Sequence, residues 1–346
     1  MGEMHMEKKK PIVYYDALNV VACFCVIAMH CNGIVHSFEH SSVWYSALLI
    51  EVLCFWAVPV FFMLSGATLM NYRDRYSTTV FLKRRLQRIG IPLLFWSIVF
   101  LALKWLKHDM PVGTRAFCNM LINFEIEPVY WFFGPLLMIY FAMPILSLLS
   151  QNKKILWYML SFGIATYSFF PFLLKLLGLS YNSHFYFPLT GGYILYVLLG
   201  YLLSTTELKP WQRILCYGLA LGGAAFRYVH TLLRFEIDGV KDTLTWGDKF
   251  LPTLCLAVGV FVFAKYLFLK EPFQNEKLAK VLHWLSGASF GIYLIHIFVM
   301  KVLRALLHIS TASTLWRLLG PIAIYFVCLA IVQIGKKIPF GKYIFP

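Results

Sequence analysis

Four ionisable residues stand where an apolar run makes them expensive: His30, Glu51 and His296 inside such runs, and Asp16 at the start of the first. An ionisable group in hydrocarbon costs about 2.5–3.5 kcal/mol even on lenient insertion scales, so each asks for a functional reason. At about 1.5 Å of helical rise per residue, His30 lies roughly 21 Å beyond Asp16, in the outer half of a membrane. Glu51 enters from the outer side, about six residues into a run that returns inward, and His296 lies about eight residues short of the outer end of its own run. The three depths agree with one shared, outward-facing cavity. A carboxylate beside a histidine fixes the tautomer and supports proton uptake, which suits general-base catalysis. A proton relay in a transporter would use the same residue types, and so would plain hydrogen bonding between helices.

A second group of residues points to anions. Lys83, Arg84, Arg85 and Arg88 place four cations within six residues, just before Gly90 and Pro92. Residues three apart are neighbours on a helix, so Arg85 and Arg88 are placed to clamp one anion, and guanidinium forks match phosphate oxygens in bidentate fashion. Basic runs beside a helix end also arise from membrane topology and from anionic headgroups.

The elements that must position these residues are membrane-spanning helices. Of the 346 residues, 60% are hydrophobic and only 14% are charged, with a mean hydropathy of +0.70, too apolar for a soluble domain. Apolar stretches long enough to span recur along the chain. The pattern predicts about ten spans, near 17–35, 46–70, 91–106, 130–149, 155–175, 191–205, 213–231, 250–269, 283–304 and 314–334. Barrel strands would alternate apolar and polar residues, whereas Val52 to Leu64 is apolar on every side, so the expected fold class is an all-α polytopic membrane helix bundle.

The net charge of +15 sorts by membrane side. With the N-terminus inside, 20 Lys and Arg fall in or beside cytoplasmic segments and 11 on the other side. Lys8, Lys9 and Lys10, the run from Arg73 to Arg88, and Lys336 and Lys337 are inside, while Asn32 to Trp44 has no Lys or Arg. The expected location is therefore the cell (inner) membrane, multi-pass, with both termini and a tail of about residues 1–14 in the cytoplasm, and without a nucleic-acid partner. The eight cysteines, Cys23, Cys25, Cys31, Cys54, Cys216, Cys255 and Cys328 among them within apolar runs, have no spacing that suggests zinc or disulfides. No metal is expected. Ala17 to Val35 lacks a small-residue cleavage site and should remain as the first helix.

No repeat or linker divides residues 1–346, which read as a single integral-membrane domain. Two outer loops carry charge: Lys107 to Pro128, with Asp109, Arg115, Glu125 and Glu127, and Phe235 to Lys249, with Glu236, Asp238, Asp242 and Asp248. Either offers contacts to a polar acceptor, or is a solvated connector.

Across nearly its whole length the chain resembles the acyltransferase family 3 membrane proteins. The resemblance rests on YYDALNVVACFCVIAMH (Tyr14 to His30), FFMLSG (Phe61 to Gly66), FLKRRLQRIGIPLLFWS (Phe81 to Ser97), YWFFGPLLMIYFAMPIL (Tyr130 to Leu146) and GASFGIYLIH (Gly287 to His296). It implies transfer of an acyl group, usually acetyl, from a coenzyme A thioester to a cell-surface sugar or related acceptor. The family's first helix carries a basic residue, ten residues, then an essential histidine; here those positions are Asn19 and His30. The histidine matches and the cation does not, so another residue must supply that charge or the activity differs. The family's R-x-x-R pattern, tied to the acyl-CoA donor, matches Arg85 and Arg88, with Arg84 beside them.

The resemblance implies that donor phosphates sit at the cytoplasmic arginines and the thioester points toward His30. His30 would deprotonate the acceptor hydroxyl with Glu51 or His296 assisting, or would itself carry the acyl group transiently. Asp16, Asn19, Tyr130 and Trp131 are the candidate substrate contacts, although interfacial aromatics ordinarily only anchor a helix at the headgroups. The acceptor would be an envelope glycan or a lipid-linked saccharide, and the donor acetyl-CoA or another acyl-CoA. The rival function is a polysaccharide or lipid-linked glycan transporter or flippase with a His/Glu proton relay; an inactive sensor or assembly partner on the same fold is a third.

Overall fold

The computed structural model describes residues 12–37, 39–106, 113–182, 184–238, 242 and 244–346. Lys8, Lys9, Lys10, Lys107, Asp109 and the side chain of Asp238 lie outside what is described. The described residues contain helices and no strand. The main helices are α1 (Val13–Cys31), α2 (Ser42–Cys54), α3 (Ala57–Leu69), α4 (Thr78–Leu106), α5 (Thr114–Ile122), α6 (Phe133–Leu149), α7 (Lys153–Ile164), α8 (Phe170–Leu176), α9 (Ile194–Thr205), α10 (Pro210–Asp238), α11 (Leu251–Leu267), α12 (Glu276–Ser286), α13 (Ser289–Leu307), α14 (Thr314–Gly335) and α15 (Gly341–Ile344).

Each of the ten expected spans falls on helix, and the bundle is polytopic. Among the described residues, seven helical stretches are long and apolar enough to cross a membrane, two more apolar helices, α9 and α11, have 12 and 17 residues, and α10 runs 29 residues. Leu94, Ile98, Met138, Ile145, Leu221 and Phe326 point outward, an apolar exterior that lipid solvates.

Where helices depart from the expected spans, backbone chemistry gives the reason. The second span breaks between α2 and α3 because Pro59 has no N–H to offer the carbonyl of Phe55. The third span begins at Thr78 rather than near 91, so the arginines lie within α4, and Pro92 leaves the Arg88 carbonyl without its helical donor. The fifth passes through a π-helical turn, Ala165–Phe169. The ninth is two helices, α12 and α13, meeting at an elbow, Gly287–Ala288. Helix ends leave carbonyls unmet; here Asn19 Nδ2 bonds Ser286 O (3.1 Å) and Lys336 Nζ bonds Gly287 O (2.8 Å).

α1 lies at the centre, against α2, α3, α11, α12, α13 and α14. Helices in lipid gain little from hydrophobic exclusion and depend on close packing, which small residues permit. The α3–α9 crossing is the clearest case. A Cβ on Gly66 would sit 1.9 Å from Val197 O, and one on Gly200 1.9 Å from Met63 O. Gly66→Ala and Gly200→Ala should each force the helices apart at a cost of about 1–3 kcal/mol or more, read as a lower thermal unfolding midpoint in detergent. Gly218, on α10, has nothing within 4 Å of its Cβ position, so Gly218→Ala should leave the midpoint unchanged or raise it slightly.

Candidate active site

Two cavities matter, one toward each end of α1, here called the Asp16 end and the Asn32 end. The larger, about 400 Å³, opens among the starts of α1, α4 and α13 and the end of α3. This is within the range of small-ligand sites. Arg75, Arg85 and Arg88 line its mouth together with Asp16, Asn19 and His283. Its deep wall is apolar and aromatic: Phe61, Phe132, Leu136 and Tyr293.

The mouth is electropositive and prearranged. Arg85 stands over the rings of Phe81 (5.8 Å) and Tyr140 (6.0 Å), and its Nε is buried without a partner. Arg75 donates to Thr68 O (2.7 Å), and Asp16 Oδ2 meets His283 Nδ1 at 3.0 Å. Just past α14, burial, and after it the charge of Arg88, hold the Lys336 ammonium below its ordinary pKa. Unmet guanidinium donors with depressed nearby ammonium ionisation mark a place where an anion would be stabilised. Arg84 does not share it: its guanidinium packs over Tyr76 at 5.1 Å, away from the cavity wall.

Asn19, on the cavity wall, donates to both Ser286 O (3.1 Å) and Ser286 Oγ (2.8 Å). Where the family carries a cation, this chain has a neutral tie between α1 and the elbow.

One helical turn beyond the deep wall, the two histidines meet. His296 is 1% exposed; its Nδ1 lies 2.7 Å from Tyr293 O, which only accepts, so this nitrogen carries the hydrogen. Its Nε2 is therefore the bare nitrogen, and it is buried without a partner among the described residues. The His30 ring centroid lies 5.3 Å from that of His296, and the Tyr293 ring centroid 5.6 Å from it. His30, unlike His296, remains accessible.

Glu51 departs from the expected trio. Its Oε2 accepts from Asn32 Nδ2 (3.3 Å), and among the described residues it bonds neither histidine. A buried carboxylate goes where it is compensated, and α2 turns it toward Asn32 and the Arg227 of α10. The expected His–Glu pair is thus replaced by a His–His pair. Tyr130 is fully buried and donates to Leu294 O (3.3 Å), holding the Pro128–Phe132 turn on α13, whereas Trp131 is 42% exposed beside Tyr193.

Four of the acidic loop residues, Glu127, Glu236, Asp242 and Asp248, fold back onto the protein. Glu127 pairs with Lys301 (3.1 Å), Glu236 accepts from Tyr45 (2.8 Å), and Asp248 from Tyr193 (2.6 Å). Asp242 is 2% exposed. Burial opposes its ionisation, but hydrogen bonds from Thr245, Thr231 and the Leu244 N–H, with His230 Nδ1 3.1 Å away, outweigh it and hold the carboxyl below its usual range. The stability this gives is present above the ordinary carboxylate pKa, about 3.9, and is lost only as pH falls through the lowered folded value. Asp242→Asn should cost about 1.5–3 kcal/mol and speed hydrogen exchange at Leu244 and Thr245.

Arg75, His283, Ser286, Tyr293 and Arg227 were not singled out above. Arg227, 1% exposed in the seventh span, carried the same signal as Glu51, a charge inside an apolar run. The others are ordinary residues in sequence and acquire meaning only from their neighbours.

A family model described as an acyltransferase domain, that of acyltransferase family 3, matches residues 12–333. The chain belongs to this family. It is an acyltransferase, and its helices make it a membrane protein. No curated protein and no solved structure matches it.

Proposed function

We propose that this acyltransferase is an O-acyltransferase of the cell membrane, moving an acyl group, acetyl first among them, from cytoplasmic acyl-CoA to a hydroxyl of an envelope glycan or its lipid-linked precursor. The observation that carries this reading is the continuity of the site. A cavity runs from the Arg75–Arg85–Arg88 mouth to Tyr293, and His296 and His30 follow within one helical turn. The excess of basic residues on the Asp16 side supports a cytoplasmic position for that end and for both termini.

In this reading Arg85 and Arg88 hold the donor's phosphates, and Arg75 supplies the positive charge that Asn19 lacks. The thioester reaches past Tyr293. His296, its Nδ1–H fixed on Tyr293 O, packs its ring against that of His30 and restricts the orientations the His30 ring can take. His30 takes the proton of the acceptor hydroxyl as that oxygen attacks the thioester carbonyl. The C–S bond breaks, the ester remains on the acceptor, and the proton passes from His30 to the departing thiolate to give free coenzyme A. Asp16 and His283 hold the mouth, and Trp131 faces the acceptor side.

The test is release of coenzyme A from acetyl-CoA labelled in the acetyl group, using the detergent-purified full chain and crude envelope glycan. Glycan-dependent release with label recovered on the glycan is expected. Release without transfer of label, or none from the folded protein, would overturn the proposal.

A further inference from the structure

The second cavity, about 180 Å³, lies toward the Asn32 end between α2, α10 and residues 244–249, and nothing above assigns it a ligand. His36, Trp44, Glu51, Phe55, Thr231 and Trp246 line it. Its volume is about that of six liquid waters at ~30 Å³ each, room for one sugar ring but not for a chain.

Its construction is that of a binding site and not of a packing defect. A void left by packing is apolar, whereas this one has a carboxylate, a hydroxyl and two indoles on its wall. Glu51 uses Oε2 on Asn32, and Oε1 accepts no hydrogen bond among the described residues. The aromatic walls are held from behind. Arg227 lies over the Phe55 ring at 4.5 Å and over Trp246 at 5.1 Å, donates to Thr245 O (3.1 Å), and keeps Nη1 buried and unpartnered among the described residues. Trp246 Nε1 donates to Thr231 Oγ1 (2.8 Å), and Trp44 Nε1 to Val35 O (3.1 Å), so both indoles are fixed in orientation.

Position ties the cavity to the chemistry. Asn32, which holds Glu51, follows His30 by two residues, and His36 both lines the cavity and lies within electrostatic range of His30. His30 thus stands between the two cavities, the arginine-mouthed one on its Asp16 side and this one on its Asn32 side.

We propose that this second cavity seats a single pyranose ring of the acceptor, with Glu51 accepting hydrogen bonds from ring hydroxyls and Trp246 and Phe55 covering the ring's C–H face. The inference rests on the acyltransfer reading and supplies its acceptor subsite. A neutral polyol fits best by charge: Glu51 and Arg227 beside it offset one another, which leaves no net field to favour an anion or a quaternary ammonium.

The probes are methyl glycosides of glucose, mannose and N-acetylglucosamine, with choline for comparison, titrated into the detergent-purified full chain while thermal unfolding is followed by tryptophan fluorescence. At saturation at least one glycoside should raise the midpoint by about 2 °C or more. Glu51→Gln, which keeps the shape and the Asn32 bond, should raise the half-saturating glycoside concentration about tenfold or more. Leu48→Phe, which fills the cavity, should abolish the shift. The shift should persist in Arg85→Ala/Arg88→Ala, whose residues line the other cavity. A glycoside shift unaffected by Glu51→Gln and Leu48→Phe, a shift with choline alone, or no shift with any glycoside overturns the subsite. Coenzyme A release with whole glycan, measured alongside, reports separately on the acyltransfer reading, which survives any of these outcomes if release and label transfer persist.

Discussion

His30→Ala should reduce glycan-dependent coenzyme A release by roughly 10²–10⁴-fold, the range that a positioned general base contributes, while acetyl-CoA still binds. The site's layout makes this loss specific. His30 is the accessible member of the histidine pair, whereas His296 is buried and committed through Nδ1 to Tyr293 O. His296→Gln should therefore lower turnover by less than His30→Ala, because it removes the group that orients the base and leaves the base itself. Release measured with saturating acetyl-CoA and glycan, with folding checked by the unfolding midpoint, separates the two. Equal turnover in wild type and His30→Ala would remove His30 from the chemistry.

Arg85→Ala/Arg88→Ala should act at the other end of the same cavity. Each hydrogen bond to a charged phosphate is worth about 1.5–3 kcal/mol, so losing both should raise the half-saturating acetyl-CoA concentration by on the order of 100-fold or more. Turnover at saturation should fall much less, because these residues hold the donor far from the bond that breaks. Arg84→Ala should leave donor affinity near wild type, since Arg84 lies over Tyr76 outside the cavity. That contrast, between neighbours in one basic run, distinguishes a shaped phosphate site from general electrostatic attraction, to which all three cations would contribute alike. A donor half-saturation unchanged in the double variant would sink the assignment.

Much of this molecule was legible in its residues because lipid imposes a simple rule. Backbone polar groups must be satisfied within the segment, so long apolar runs become helices, and a charge inside one stands out. That reasoning reached the spans and drew attention to His30, Glu51 and His296, and helical spacing drew attention to Arg85 and Arg88. It placed the third span near 91–106 with Arg85 and Arg88 on a helical face at its start; the helix α4 begins at Thr78 and continues through Gly90 and Pro92. It overlooked Arg227, although the signal was present, and Arg75, whose significance depends on where α3 ends.

By itself the sequence determined the all-helical membrane class, the approximate spans and the types of group available for acyl transfer, since these follow from local hydropathy and helical periodicity. Only the tertiary structure decided which groups meet. Depth along a helix can be counted from sequence, but rotation about its axis is set by packing against neighbours. His30, Glu51 and His296 were expected at similar depth; packing turns the two histidines toward one another and Glu51 toward Asn32, at a different cavity. The same holds for Asn19, whose hydrogen bonds exist because α12 ends at Ser286 beside α1. A residue's chemistry is written locally, and its partners are chosen by contacts from 267 positions away in the chain.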